Sequence, residues 1–256
     1  MALILKEKPI RHERLKKHQR ELIIGTTIHQ QTSMDSLMGG TLIVCPTSVL
    51  KQWEQEIKGK IMEAAGLSIL VYHGSNRIKD PLELANHDIV LTTYAIIAME
   101  APKQPLCGNN LQNSDCNGGI ATLRETDLKK RSKGTSSGRV PLRNGRVGSL
   151  YKVFWFRIVL DEAQNIKNPR TRIANACWML KAEKRWCLSG TPVQNAVDDL
   201  YSYFRFLNYA PYSDYKVFQL KIKNLLAENP SIGFRKLHHV LQRIMLRRTK
   251  GKRPVS

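Results

Sequence analysis

Residues 157–168, RIVLDEAQNIKN, carry the pattern that decides the fold. An apolar run, Ile158 to Leu160, leads directly into two adjacent acids, Asp161 and Glu162. A short continuous apolar run is typical of a strand buried inside a parallel sheet. Open α/β sheets bind their ligands beyond the carboxyl ends of the strands, so acids at this position commonly hold a ligand. The stretch therefore predicts an α/β fold and a candidate site together.

Similar runs recur along the chain and alternate with segments of helical spacing. The predicted strands are TLIVCP (41–46), SILVYHG (68–74), DIVLTTY (88–94), VFWFRIVLDEA (153–163) and KRWCLSGTP (184–192). Helical spacing is found at 48–61, around 82–85, at 170–182 and at 197–207, and residues 6–20 read as a basic helix. Strands that alternate with helices predict a mainly parallel sheet covered on both faces.

The apolar pattern breaks down between residues 101 and 150. This stretch is rich in Gly, Asn, Ser and basic residues, and such a composition buries too little apolar surface to order itself. We therefore predict one domain in two parts, 1–100 and 151–256, separated by a basic, disordered insertion at 101–150. Its basic run, 129–133, is compatible with a nuclear localisation patch, a DNA tether or a plain solvated linker.

The composition favours a polyanionic partner. The formal net charge is +20, which exceeds what solubility requires and indicates contact with nucleic acid, although solvated lysines alone would also produce it. No stretch is apolar enough for a membrane span, and no secretion signal is visible. The five cysteines form no CxxC pair and have no histidines at zinc-finger spacing, so we predict reduced thiols and no structural zinc.

Hydroxyls, acids and a glycine turn are predicted to gather at the carboxyl edge of the sheet. They are Pro46-Thr47-Ser48, Thr92-Thr93-Tyr94, Asp161-Glu162 and Ser189-Gly190-Thr191. This combination suits a magnesium nucleotide, because Mg²⁺ prefers oxygen ligands and a neighbouring carboxylate is able to deprotonate an attacking water. Each stretch alone has a structural alternative: the acids could cap a helix, and Thr191 with Pro192 could begin one.

The order of these stretches resembles the first RecA-like lobe of the SWI/SNF-type helicase-like ATPases. The text is nearest to the Ris-type branch, which includes plant helicase-like transcription factors. The matching segments are TLIVCPTSVLKQW (41–53, motif Ia), IVLTTY (89–94, motif Ib), LDEAQNIKN (160–168, motif II), LSGTPVQN (188–195, motif III), DDLYSYFRFL (198–207) and LRRTK (246–250). The resemblance implies an α/β, three-layer RecA-like fold of the P-loop NTPase class, and a nuclear protein that uses ATP and Mg²⁺ on double-stranded DNA or chromatin.

The same resemblance implies a role for each matching residue. Asp161 would coordinate the magnesium of ATP, and Glu162 would activate the water. Gln164, where most of the family has His, would couple nucleotide state to DNA grip together with Ser189, Gly190 and Thr191. The remaining matches would contact the DNA backbone, which hydroxyls and amides position without reading sequence: Pro46, Thr47, Ser48, Thr92, Thr93, Tyr94, Arg247 and Arg248.

A phosphate loop of the GxxxxGK[ST] type is missing from the 256 residues. Gly59-Lys60 and Gly251-Lys252 are the two Gly-Lys pairs, and neither has the flanking residues that the motif needs. Ala2-Leu3-Ile4-Leu5 resembles the end of the helix that follows this loop in the family. We therefore expect a fragment of a DNA-dependent ATPase without its phosphate-loop strand or second lobe, and inactive alone. The alternative is a non-catalytic basic DNA-binding module.

Overall fold

The computed structural model describes residues 37–60, 66–102, 147–191 and 197–246. The strands are β1 (Leu37–Cys45), β2 (Ile69–Val71), β3 (Ile89–Thr93), β4 (Val153–Leu160) and β5 (Lys181–Cys187). The α-helices are α1 (Leu50–Lys60), α2 (Pro81–Asn86), α3 (Tyr94–Glu100), α4 (Ser149–Lys152), α5 (Arg172–Met179), α6 (Asp198–Phe206), α7 (Tyr215–Phe218), α8 (Leu225–Glu228) and α9 (Pro230–Ile244). Short 3₁₀ turns follow β1 and β4, at Thr47–Val49 and Ala163–Ile166, and a π-helical turn, Gln219–Asn224, joins α7 to α8.

The five described strands form one parallel sheet in the order β2-β3-β1-β4-β5. The prediction of a mainly parallel sheet is confirmed. The pairing of β1 with β4, for example Val44 opposite Leu160, joins the residues before the 101–150 stretch to those after it. Because parallel strands end at the same edge, the turns after β3, β1, β4 and β5 lie side by side.

The sheet has apolar cores on both faces, as predicted. The larger core contains Leu42, Leu160 and the buried side chains of α3, α5 and α6. The smaller core contains Ile43 and Val159, and Leu50 and Ile57 of α1 pack on it. A continuous apolar run such as 158–160 is explained by this arrangement, since both of its faces are covered.

The first strand begins earlier than the sequence predicts. Gly39 and Gly40 lie inside β1 and do not merely introduce it. A Cβ atom at Gly40 would collide with the backbone carbonyl oxygens of His87 and Asp88. Glycine in a strand interior commonly marks such a close backbone approach, and Thr41 N donates to the Asp88 carbonyl over 2.8 Å at this point.

Gly40→Ala is therefore expected to destabilise the fold by about 1–3 kcal/mol, because backbone has to move to admit the methyl group. Gly59→Ala is the matched control: among the described residues, no atom outside the glycine's own stretch of helix lies within 4 Å of the place that its Cβ would occupy, and alanine in a helix interior gains about 0.5–1 kcal/mol over glycine. Urea unfolding followed by circular dichroism measures both. Equal midpoints for the two variants would show that the close approach is absent.

Among the other boundaries that differ from the prediction, two are explained by specific contacts. The helix predicted over 170–182 ends at Met179, and β5 begins at Lys181 because its first residues pair with Phe154 and Trp155 of β4. The strand predicted to end at Tyr94 ends at Thr93, whose side chain accepts from Ile96 N and caps α3. The helices of 215–244 were not predicted.

The two ends of the 101–150 stretch meet beside Glu100. Gly148 N donates to the Glu100 carbonyl over 3.2 Å, and the Glu100 carboxylate accepts from Tyr72 and Arg77. The described residues continue from Val147, and Leu150 is buried. Residues 103–146 lie outside the described residues, as do 6–20, and the division into domains stays a prediction. Of the described helices, none is long and apolar enough to cross a membrane.

Candidate functional site

Asp161 is held by neighbours from three elements. Its backbone N donates to the Val44 carbonyl of β1 over 2.8 Å. Its carbonyl accepts from the Tyr94 hydroxyl over 2.7 Å, and its Oδ2 accepts from Trp53 Nε1 over 2.7 Å. The carboxylate is therefore fixed at the carboxyl end of β4, where the sequence predicts it.

Glu162 sits in the turn that follows. Its φ of 50° is left-handed, which is uncommon for a residue with a side chain and is often found at functional sites. Its carbonyl accepts from Asn165 N over 3.1 Å and from Asn165 Nδ2 over 2.7 Å, so the turn is closed by its own backbone. The side chain is exposed, with Oε2 accepting from Gln164 Nε2 over 2.6 Å.

Gln164 connects Glu162 to the turn after β5. Ser189 Oγ donates to Gln164 Oε1 over 2.9 Å, and Thr191 N donates to Ser189 Oγ over 3.2 Å. Ala163 N also donates to the Leu188 carbonyl over 2.8 Å. We call the hydrogen-bonded series Glu162, Gln164, Ser189, Thr191 the Gln164 bridge. It brings together residues that the sequence analysis assigned to two separate motifs.

The residues predicted to contact DNA divide into two groups. Thr47 and Ser48 are exposed at the end of β1, and Pro46 beside them is half-buried. Gly190, predicted to take part in coupling and not in DNA contact, is exposed in the turn after β5, and among the described residues only its chain neighbours lie within 4 Å of the position of a Cβ. Arg247 and Arg248, and the motif III residues 192–195, lie outside the described residues.

Thr92, Thr93 and Tyr94, also predicted to contact the DNA backbone, are buried, and that contact stays a prediction. All three are at most 5% exposed. Thr92 Oγ1 donates to the Tyr72 carbonyl over 3.0 Å, Thr93 caps α3, and the Tyr94 hydroxyl is committed to Asp161. These hydroxyls pair with internal acceptors or donors that would be costly to leave unpaired. The side chains of motif Ib therefore stabilise the protein beneath the site.

The sequence does not predict the contact that Trp53 makes with Asp161. The Trp53 ring packs on the smaller core, three residues after Leu50 on the same face of α1. The missed signal is the indole N–H, which needs an acceptor when the ring is partly buried. Tyr94 was assigned to DNA contact, and its hydrogen bond to the Asp161 carbonyl was not predicted.

Two groups near Asp161, the Cys45 thiol and the Tyr94 hydroxyl, resist ionisation. Burial raises the pKa of the Cys45 thiol from 9.0 to about 12, and the Asp161 carboxylate adds to the rise. Burial also raises the pKa of the Tyr94 hydroxyl well above its ordinary value. At neutral pH both groups are therefore neutral.

The Cys45 thiol predicts how stability depends on pH. In the unfolded chain the thiol ionises near its ordinary pKa, whereas in the folded chain it stays protonated, so unfolding releases a proton above about pH 9. The stabilisation is complete below the unfolded pKa and falls by up to about 1.4 kcal/mol per pH unit as pH rises towards the folded pKa.

This pH effect is measured by urea unfolding of the wild type and of Cys45→Ala between about pH 8 and about pH 10.5. Comparing the two proteins cancels the contribution of tyrosines and lysines, which titrate in the same pH range, to the change in stability. The wild type should lose stability more steeply than Cys45→Ala above about pH 9. Parallel curves would mean that the Cys45 thiol ionises equally in both states.

The sequence profile of the SNF2-related domain matches residues 12–253. The chain belongs to the SNF2-related family. It is 50% identical over 224 residues to "Helicase-like transcription factor CHR28" of Arabidopsis thaliana, covering 83% of this chain and 23% of that protein. It is 35% identical over 213 residues to "DNA repair protein RAD5A" of the same plant, covering 83% of this chain and 17% of that protein.

Solved structures agree with the SNF2-related assignment. The chain resembles the "Sulfolobus solfataricus SWI2/SNF2 ATPase core in complex with dsDNA" with a TM-score of 0.56 and 32% identity. The match covers 86% of this chain and 36% of that one. The predicted RecA-like α/β fold and the resemblance to SWI/SNF-type helicase-like ATPases are thus confirmed. The chain spans less than a quarter of the length of the two plant relatives.

Proposed function

We propose that this SNF2-related chain is part of a DNA-dependent ATPase that moves along double-stranded DNA or remodels chromatin in the nucleus. The observation that carries the proposal is the Gln164 bridge, which ties Glu162 at the end of β4 to Ser189 and Thr191 at the end of β5. The bridge joins an acid suited to activating water to the turn that, by the family resemblance, couples nucleotide state to DNA grip. The +20 charge and the family's solved complex with dsDNA support the choice of partner.

The donor set at this edge fits magnesium and ATP. Mg²⁺ prefers oxygen ligands in an octahedral shell that retains water, and Asp161 keeps Oδ1 outside the hydrogen bonds of the described residues. Asp161 would hold the ion, directly or through its waters, and the bound ion would neutralise phosphate charge. Glu162 Oε1, outside the Gln164 contact, would accept the proton of the attacking water.

The Gln164 bridge would make the water-activating acid sensitive to the turn after β5. A shift of Ser189 or Thr191 would pull on the Gln164 amide and change where Glu162 Oε2 sits. Thr47 and Ser48, exposed at the same edge, would contact the DNA backbone through hydroxyls and amides. Arg247 and Arg248 would add phosphate contacts through their charge.

The phosphate cradle has to come from elsewhere, because the 256 residues contain no GxxxxGK[ST] sequence. The test is therefore a chimera in which this chain replaces the matching segment of the CHR28 relative. We expect phosphate release that rises when dsDNA is added. A folded chimera that binds dsDNA and hydrolyses no ATP would contradict the proposal.

The net charge of +20 also supports a second candidate, a basic module that binds DNA without catalysis. Fluorescence anisotropy with labelled duplex DNA separates the two when salt and ATP are varied on the chimera. Binding that weakens steeply with salt and ignores ATP favours the module. A change in affinity on adding Mg-ATP favours the ATPase.

A further inference from the structure

We propose that Trp53 is the positioning residue for Asp161: its indole N–H orients the carboxylate that holds the divalent cation. The inference deepens the proposed function and rests on it. The geometry that carries it is the hydrogen bond from Trp53 Nε1 to Asp161 Oδ2, 2.7 Å long, between residues 108 positions apart in sequence.

Helix α1 presents Trp53 to the acid in a fixed pose. Leu50 and Ile57 lie on the same helical face and are buried at 6% and 0% exposure in the smaller core. The Trp53 ring packs on that core while its nitrogen reaches the end of β4. Packing therefore fixes the donor, and a fixed donor selects one orientation of the carboxylate.

Asp161 is held on its backbone as well as on its side chain. Val44 and Tyr94 bind its N–H and carbonyl, over 2.8 Å and 2.7 Å, so the Cα position is set. Trp53 removes the remaining freedom, which is rotation of the carboxylate. One oxygen is used by the indole, and Oδ1 remains for a cation. Hydrogen bonds from outer residues orient metal ligands in this way, and their loss commonly costs about 10–100-fold in metal affinity or activity.

The choice of tryptophan has a chemical reason. An indole N–H donates but never accepts, and it carries no charge. A lysine or arginine at this position would also bind Asp161, but its positive charge would oppose a cation at the same carboxylate. Tryptophan orients the acid while leaving its full negative charge for the cation.

The first test reads the contact directly on the 256-residue protein. With ¹⁵N-labelled tryptophan, the four indole N–H groups, those of residues 53, 155, 178 and 186, give four signals. Trp53→Phe identifies the Trp53 signal. Asp161→Asn should move that signal and leave the signals of Trp155 and Trp178 in place, since these donate to the carbonyls of Leu150 and Ser202. An unmoved Trp53 signal would overturn the proposal.

The second test reads cation binding without enzymatic activity. Mn²⁺ chloride is titrated, and paramagnetic broadening of the Ala163 backbone amide, two residues after Asp161, reports the ion. Trp53→Phe keeps the aromatic packing and should raise the Mn²⁺ concentration needed for half-broadening about 10–100-fold. Trp178→Phe, which removes an indole donor that bonds the Ser202 carbonyl and not Asp161, should leave it unchanged.

The variants separate failure of this inference from failure of the proposed function. If Asp161→Asn leaves Mn²⁺ broadening at Ala163 unaltered, Asp161 holds no cation in the 256-residue protein and this inference falls, whereas the proposed function is judged by phosphate release from the chimera. If Asp161→Asn abolishes broadening while Trp53→Phe matches the wild type, the cation site stands and Trp53 has no positioning role. A thermal melt confirms that Trp53→Phe is folded at the titration temperature.

Discussion

Glu162→Gln in the CHR28 chimera is expected to lower DNA-stimulated phosphate release by about 10²–10⁴-fold, the usual contribution of a positioned general base. Glutamine has the size of glutamate and accepts the hydrogen bond from Gln164 through its amide oxygen, but it does not take a proton from water. The Gln164 bridge and the turn should persist. The loss should therefore fall on kcat, with DNA affinity unchanged.

The control for this variant is Glu83→Gln, which makes the same chemical change at an exposed acid on α2, away from the carboxyl edge of the sheet. It should release phosphate at the rate of the unsubstituted chimera. A Glu162→Gln chimera that also kept that rate would show that another group activates the water, and the assignment of Glu162 would fail.

Trp155→Ala is expected to lower the free energy of unfolding by about 3–5 kcal/mol, the range for removing a buried large aromatic side chain. Trp155 is 0% exposed, lies in β4 within the larger core, and donates through Nε1 to the Leu150 carbonyl over 3.1 Å. The substitution creates a cavity and leaves a buried carbonyl without its donor, so both costs act together.

The control for the stability prediction is Trp186→Ala on β5, where the side chain is 45% exposed. Removing a half-exposed ring should cost at most about 1 kcal/mol. Urea unfolding followed by circular dichroism compares the two without relying on tryptophan fluorescence. Similar losses for both variants would indicate that Trp155 does not lie in a packed core.

The strands were predictable because each leaves a local signal. The runs at 42–45, 89–91 and 158–160 are continuous and apolar, which is typical of strands covered on both faces. Their parallel pairing followed from the helices between them. The start of β1 was not predictable, because Gly39 and Gly40 belong to the strand through tertiary contacts. For Gly40 the contact is with the backbone of His87 and Asp88.

The site was predictable in its members and less so in their roles. Sequence order placed Asp161, Glu162 and Ser189 at one edge, and the structure joins Glu162 to Ser189 through Gln164. Burial of Thr92 and the turn of Trp53 towards Asp161 depend on how α1 and the sheet pack, which no local pattern encodes. Thr92, which looks like a ligand contact by type, is buried, and Trp53, which looks like a core residue by type, donates to Asp161.

The proposed function requires that Asp161 and Glu162 form one half of a magnesium–triphosphate site that works only beside a phosphate loop. Phosphate release by the 256-residue protein and by the chimera, measured side by side with dsDNA, tests it most directly. We expect DNA-stimulated release from the chimera and none from the 256-residue protein. Release by the 256-residue protein at the chimera's rate, or none from a folded, DNA-binding chimera, would contradict the claim.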